Sequence, residues 1–297
     1  MLLGGHNSTV SDPEANARGF ALTLFGVLVL TPDTLLIRLI DIDPWTMNLW
    51  RGLLMSFSLT VCYLLVARGQ ALAGVKALGL AGVAVAGIYS INAITFVLAL
   101  DHTQVANVLI IIASTPLIAA LLSIIFLKER VALPTWLAIA GAMAGISIVV
   151  SDGARAGTSL GDLLALATAI ALAVTFIIIR HNKHVNMIPA TAFGALISAL
   201  IAMPFAEPLQ LEGAQLGLML LLGLVIMPLS FGLITLGPRS IPAPEVALLL
   251  LLETVLGPIW VWLVIDEKPS EMTIIGGCVV ISAVMLQSIW RLRRNRN

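Results

Sequence analysis

Charge is scarce along this chain. Asp, Glu, Lys and Arg supply 11% of its residues while 59% are hydrophobic, against roughly 25% and 45–50% in a water-soluble domain. That composition excludes an ordinary soluble fold, and a formal net charge of zero speaks against nucleic acid as a partner. Histidine is as sparse: His6, His102, His181 and His184 are the full set, with no HExxH pattern and no serine partner for hydrolytic chemistry. A Walker-type phosphate loop is also missing, so no nucleotide drives the protein. No catalytic residues, no metal and no cofactor are expected, and the chain does not read as an enzyme. Cys62 and Cys278 lie inside apolar runs without CxxC spacing, which predicts two buried small side chains. Long polar stretches are lacking too, beyond a polar first segment, 1–18. No substantial soluble domain is expected, which disfavours the further alternative of a non-transporting membrane sensor or assembly protein.

What is abundant is apolar sequence in stretches of membrane-crossing length. A span needs roughly 20 apolar residues, and on that ruler the fold class is all-α integral membrane. Ten helices are predicted, near 19–40, 45–67, 76–99, 104–127, 134–151, 160–180, 188–206, 214–236, 242–264 and 271–290. The first run is too long for a signal-peptide core and is expected to stay as a span. Asp43-Pro44, Arg68-Gly69 and Ser151-Asp152-Gly153 mark turns between runs, and Trp45, Trp136, Trp262 and Trp290 fall near span ends, where amphipathic rings favour the interface.

The basic residues orient these spans. With the N-terminus in the cytoplasm, Arg18, Arg68, Lys76, Lys128, Arg130, Arg180, Lys183, Arg239 and the tail arginines (291–297) fall on the cytoplasmic side. Only Arg155 and Lys268 fall outside, while Arg38 and Arg51 lie within spans. The positive-inside rule then predicts a multi-pass protein of a cell (inner) membrane with both termini cytoplasmic. One helix more or fewer would invert every later loop and destroy the bias.

The two halves, 19–151 and 160–290, overlay with few gaps. Gly19, Leu22, Leu24 and Arg38 meet Gly161, Leu164, Leu166 and Arg180, and Glu129, Thr135 and Ala138 meet Glu267, Thr273 and Gly276. Five helices per half, an odd number, turn the second half upside down. Inverted repeats of this kind are common in secondary transporters, with the binding site near the midplane between them.

Several short motifs carry a family resemblance over nearly the whole chain. They are Arg51 early in helix 2, Phe96-Val97-Leu98-Ala99-Leu100 followed by Thr103, Val105 and Ala106, Pro116, and Phe126-Leu127-Lys128-Glu129-Arg130. The second half adds Pro242-Ala243-Pro244-Glu245, Leu252-Glu253-Thr254 and Asp266-Glu267-Lys268. In order and spacing these resemble the drug/metabolite transporter superfamily with its paired EamA domains. Thr254 departs from the family's usual proline after the glutamate. The resemblance implies two inverted five-helix repeats and a permease for small organic metabolites such as amino acids and related solutes. It is read here as an exporter working by alternating access, with an uncoupled facilitator as the alternative. The expected partners are a small-molecule substrate, the lipid bilayer and protons, and the expected state is a monomer, with a homodimer as the alternative.

Ionisable groups in hydrocarbon cost roughly 2.5–3.5 kcal/mol each on insertion scales, so each one calls for a partner or a purpose. Asp33 and Arg51 both fall on the order of 10 Å below the outer surface, counting six or seven residues at 1.5 Å rise. They are expected to pair beside the cavity, leaving Arg51 available to a substrate carboxylate or phosphate. Glu253 falls at the midplane with no cation predicted at its depth. A carboxyl there is cheapest to bury neutral, which makes it the candidate for proton coupling. Tyr89, Asn92 and Phe96 share one face of helix 3, and Asn107, Ile111 and Ser114 share one face of helix 4; both faces are expected to line the cavity. Thr175, Phe176, Ser230 and Phe231 are secondary candidates by repeat position. Arg38 is expected to snorkel, Glu129 and Glu267 to cap helices or pair with adjacent bases, and Gly141 and Gly145 to pack within the molecule. Pro32, Pro116, Pro228 and Pro258 are expected to kink their helices.

Overall fold

The computed structural model describes residues 13–102, 105–153, 159–207, 211, 213–265 and 271–294, and all regular structure among them is helical. Proline and polar caps divide the apolar runs. The first run is α1 (Pro13–Leu30) and α2 (Asp33–Ile40), broken at Thr31-Pro32, since proline has no N–H to continue the ladder. Asp41 closes α2 in the left-handed region at φ 46°. The Asp43 carboxylate then caps α3 (Pro44–Ala67), accepting from the Trp45 and Thr46 N–H groups, which satisfies orphan donors at the helix start.

A short α4 (Ala71–Lys76) precedes α5 (Gly79–His102). The fourth predicted run is not one rod but α6 (Val105–Ile112) and α7 (Thr115–Leu122), followed by a π-helical turn over Ser123–Leu127. α8 (Leu133–Gly153), α9 (Ser159–His181) and α10 (Ile188–Ala202) follow. The eighth run is α11 (Gly213–Leu221), a π-turn over Leu222–Ile226, and α12 (Met227–Ser240). α13 (Ala243–Ile265) passes Glu253 and Thr254 without a break, and α14 (Glu271–Arg294) carries helix four residues into the segment expected to be a basic tail.

Seven helices among the described residues are long and apolar enough to cross a membrane, and three shorter apolar ones accompany them, Thr115–Leu127, Leu133–Gly145 and Ile274–Gln287. Their packing respects an exchange of halves. Take α1 with α2 as the counterpart of α9, α3 of α10, α5 of α11 with α12, α6 with α7 of α13, and α8 of α14. The close pair α5 and α9 then exchanges with α1 and α12, the pair α10 and α5 with α3 and α12, while α8 with α14 and α3 with α10 map onto themselves. Each half therefore donates helices to the other's surface, and the core lies at their junction.

Lipid tails are as apolar as leucine, so helix association rests on close packing of small residues. A Cβ on Gly52 of α3 would lie 2.8 Å from Ala199 Cβ of α10, and one on Gly194 would lie 2.7 Å from the Ala86 carbonyl oxygen of α5. Gly141 meets Ala283 of α14 in the same way, the intramolecular packing expected of it. Large apolar side chains such as Phe25, Phe57, Leu65, Leu137 and Phe193 point outward, as a lipid-facing belt requires. Cys62 and Cys278 belong to that outward face, contrary to the expectation of burial: hydropathy separates membrane from water but not helix interface from lipid.

At one end of the bundle Gln215 donates to the Ile40 carbonyl oxygen at 2.8 Å, the Glu207 N–H donates to Thr46 Oγ1 at 2.7 Å, and the Trp45 and Phe205 ring centroids lie 4.8 Å apart with their planes tilted by 38°. At the opposite end Arg180 of the second half reaches Glu129 of the first, with Nε and Nη2 both 2.9 Å from Oε1. Glu129 therefore pairs across the halves and not with the basic residues beside it. Glu267 lies outside the described residues.

Candidate central binding site

Between the halves lies a cavity of about 70 Å³, room for several waters or the head of a small solute. Asp33 reaches it because the Pro32 break starts α2 at that residue, and Arg51 because it stands two turns into α3. Arg51 Nη2 lies 3.0 Å from Asp33 Oδ2, and both side chains are nearly inaccessible. The expected pair is present. It leaves two atoms over: Arg51 Nη1 and Asp33 Oδ1 are buried and have no hydrogen-bond partner among the described residues.

The face predicted on helix 3 converges here. Phe96 lies under the guanidinium at 5.8 Å from Arg51 Cζ to the ring centroid, within cation–π range. Tyr89 stands edge-on to Phe231 with centroids 5.5 Å apart and an interplanar angle of 89°. Asn92 donates to the Thr168 carbonyl oxygen at 3.2 Å, and the Thr95 and Thr168 hydroxyls meet at 2.7 Å. Asn92 thus lines the cavity and also fastens α5 to α9.

Glu253 enters the same wall from α13 and also lines a smaller adjoining cavity with Phe96, Ile112, Thr115 and Leu250. Arg51, read from the sequence as lying nearer the outer surface, lines the same cavity as Glu253.

Helix 4 is only partly as expected. The side chain of Asn107 lies outside the described residues. Ser114 does not line the cavity; its hydroxyl donates to the Ile111 carbonyl oxygen at 2.6 Å at the start of α7. The break before Pro116 resets the helical phase, so a spacing argument cannot be carried through it. Among the secondary candidates Phe231 lines the cavity, whereas Phe176 and Ser230 are buried in the core. Thr175 is buried too, with its hydroxyl unpartnered among the described residues.

Sequence reasoning missed Met55 and Met227. The Tyr89 hydroxyl donates to Met55 Sδ at 3.1 Å, and Arg51 Nη2 donates to Met227 Sδ at 3.2 Å. Nothing in hydropathy distinguishes such a methionine from any other. Thr168 and Ser198 also line the cavity and were legible only as small polar residues in spans.

A second, more polar cavity of about 210 Å³ lies at the end closed by Arg180 and Glu129, lined also by Ser123, Arg130, Glu245 and Trp290. It brings together the start of α8, the start of α13 and the end of α14.

The profile of the EamA-like transporter family matches residues 18–151 and again 159–289. One solved structure, whose printed description is "Crystal structure of protein", superposes with a TM-score of 0.76 at 18% identity, covering 94% of this chain and 99% of its own. At that identity the likeness is one of fold. No curated protein matches the chain.

Proposed function

The chain belongs to the EamA-like transporter family, and on that premise we propose that it is a secondary transporter that exports small organic solutes, amino acids or relatives of them, by alternating access. The observation that carries this reading is the central cavity, where an ion pair with spare bonding capacity meets aromatic rings at the junction of the halves. A polar solute entering the cavity would find one donor and one acceptor there with no partner among the described residues.

Ten spans complete the proposal, as two inverted sets of five. Seven long helices and three shorter ones supply them, and the clustering of alternate helix ends around the polar cavity of Glu129 and Arg180 supports the parity. With the basic loops inside, that cavity faces the cytoplasm, both termini are cytoplasmic and the membrane is the cell's inner one. The contacts of Gln215 and Glu207 with the first half then form the outer closure, and Arg180 with Glu129 forms the inner one. Rocking of the halves opens one while the other holds. The protein works as a monomer.

Glu253 is the proposed proton carrier. It faces a cavity already holding Asp33, Arg51 and Tyr89. Glu253 gives up a proton as the solute binds and takes one up after the solute has left, so that a proton is exchanged for the solute. Reconstitution into proteoliposomes, with radiolabelled amino acids inside and an imposed pH gradient, tests the reading. Saturable efflux that grows with the gradient supports it, saturable efflux indifferent to the gradient leaves an uncoupled facilitator, and no efflux across a broad metabolite panel contradicts it.

A further inference from the structure

Two of the strongest donors in the central cavity end on sulfur. A guanidinium N–H and a phenolic O–H in a protein interior ordinarily find oxygen, and a thioether is a weak acceptor. Yet the Tyr89 hydroxyl is given to Met55 Sδ, and Arg51 Nη2 is shared between Asp33 and Met227 Sδ. Beside them, among the described residues, Arg51 Nη1 has no acceptor and Asp33 Oδ1 has no donor. The cavity thus presents three underused donor positions and one underused acceptor.

Methionine suits a contact meant to be broken. Its unbranched side chain turns about three bonds and repacks at little cost. The two methionines also come from different halves: Met55 from the middle of α3, and Met227 from the first residue of α12, directly after the π-turn at Leu222–Ile226. Such turns are frequent at functional sites. Were the sulfurs there only to fill volume, leucine would serve as well, and nothing would require both to fall on cavity donors.

We propose that Met55 and Met227 are place-holders, whose thioethers occupy the Tyr89 hydroxyl and the Arg51 guanidinium until a solute's oxyanion displaces them. The solute class follows from the leftover atoms. A small oxyanion, carboxylate in size, takes Arg51 Nη1 and the donors released from sulfur, and an adjacent hydroxyl or ammonium on the same solute takes Asp33 Oδ1. The proposal rests on the transport reading for the identity of the site, and deepens it by naming what is bound and what makes way.

The test uses the full-length protein in nanodiscs with ¹³C-methyl methionine, each resonance assigned by its loss in the matching Met→Leu variant. Glycolate, an oxyanion with a neighbouring hydroxyl, is titrated against its neutral isostere glycolamide. Glycolate is expected to move the Met55 and Met227 methyl resonances, and glycolamide to leave them in place. Met55→Leu and Met227→Leu keep the side-chain volume but remove the acceptor, so the empty site loses a bond that the loaded site never had. Each variant is expected to bind glycolate roughly two- to fivefold more tightly, the equivalent of one weak hydrogen bond. Unchanged affinity in the folded variants overturns the place-holder role, and equal shifts with glycolamide overturn the oxyanion class. Glycolate that moves neither methyl overturns both. A variant that does not fold shows it in the collapsed dispersion of its remaining methyls, and the other variant with the wild-type titration then decides. Because binding is read without transport, a protein that binds glycolate in this way yet moves no solute across a vesicle would lose the transporter reading alone.

Discussion

Replacing Arg51 by methionine strips the cation from Asp33, whose side chain is 3% exposed. Removing one partner of a buried pair costs about 3–5 kcal/mol, because the other is left uncompensated. Asp33→Asn combined with Arg51→Met removes both charges and recovers most of the loss, so the double-mutant cycle shows a large coupling. Reversible unfolding in mixed micelles, followed by the fluorescence of the six tryptophans, measures all four proteins. Additive effects, or an Arg51→Met protein within about 1 kcal/mol of wild type, would refute the buried-pair reasoning.

Three further outcomes are expected. Gly52→Ala places a Cβ 2.5 Å from the Ala195 carbonyl oxygen of α10 and destabilises by about 1–3 kcal/mol through overpacking, read in the same unfolding assay. The partly exposed Arg180 and Glu129 pair falls between surface and buried limits, so Arg180→Glu alone loses roughly 1–3 kcal/mol of inner closure. Pairing it with Glu129→Arg restores protection of a cysteine at Ser123, measured as its alkylation rate from the cytoplasmic face. Glu253→Gln removes the proposed proton carrier, and efflux from proteoliposomes is expected to lose its dependence on the pH gradient while saturable movement continues.

The features legible in the sequence are those with a large free-energy signature. Runs of membrane-crossing length are unmistakable because each mismatched charge costs kilocalories, and the helices longest in the structure fall on runs read from hydropathy. Asp33 and Arg51 were paired for the same reason, as two ionisable groups at one depth with no cheaper solution. Ser114 shows where the reasoning stops: a helical face was extended across the break between α6 and α7, where the serine hydroxyl turns back onto the Ile111 carbonyl oxygen. Arg180 lies 51 residues from Glu129, and bases adjacent to Glu129 offered a nearer partner, so only the packing of α9 against the turn after α7 reveals the true one. The methionine contacts leave no trace in a hydropathy profile, because sulfur acceptor and apolar filler look alike until their neighbours are known.

Alternating access through the central cavity is most directly tested by a single cysteine at Ser198, in a chain whose Cys62 and Cys278 are replaced by serine. An impermeant thiol reagent applied to oriented vesicles is predicted to reach it from either face. Cross-linking cysteines placed at Thr46 and Glu207, which meet at the outer closure, is predicted to abolish reaction from outside and preserve it from within. A Ser198→Cys protein that transports yet reacts from neither face, or still reacts from outside after cross-linking, would contradict a path through this cavity.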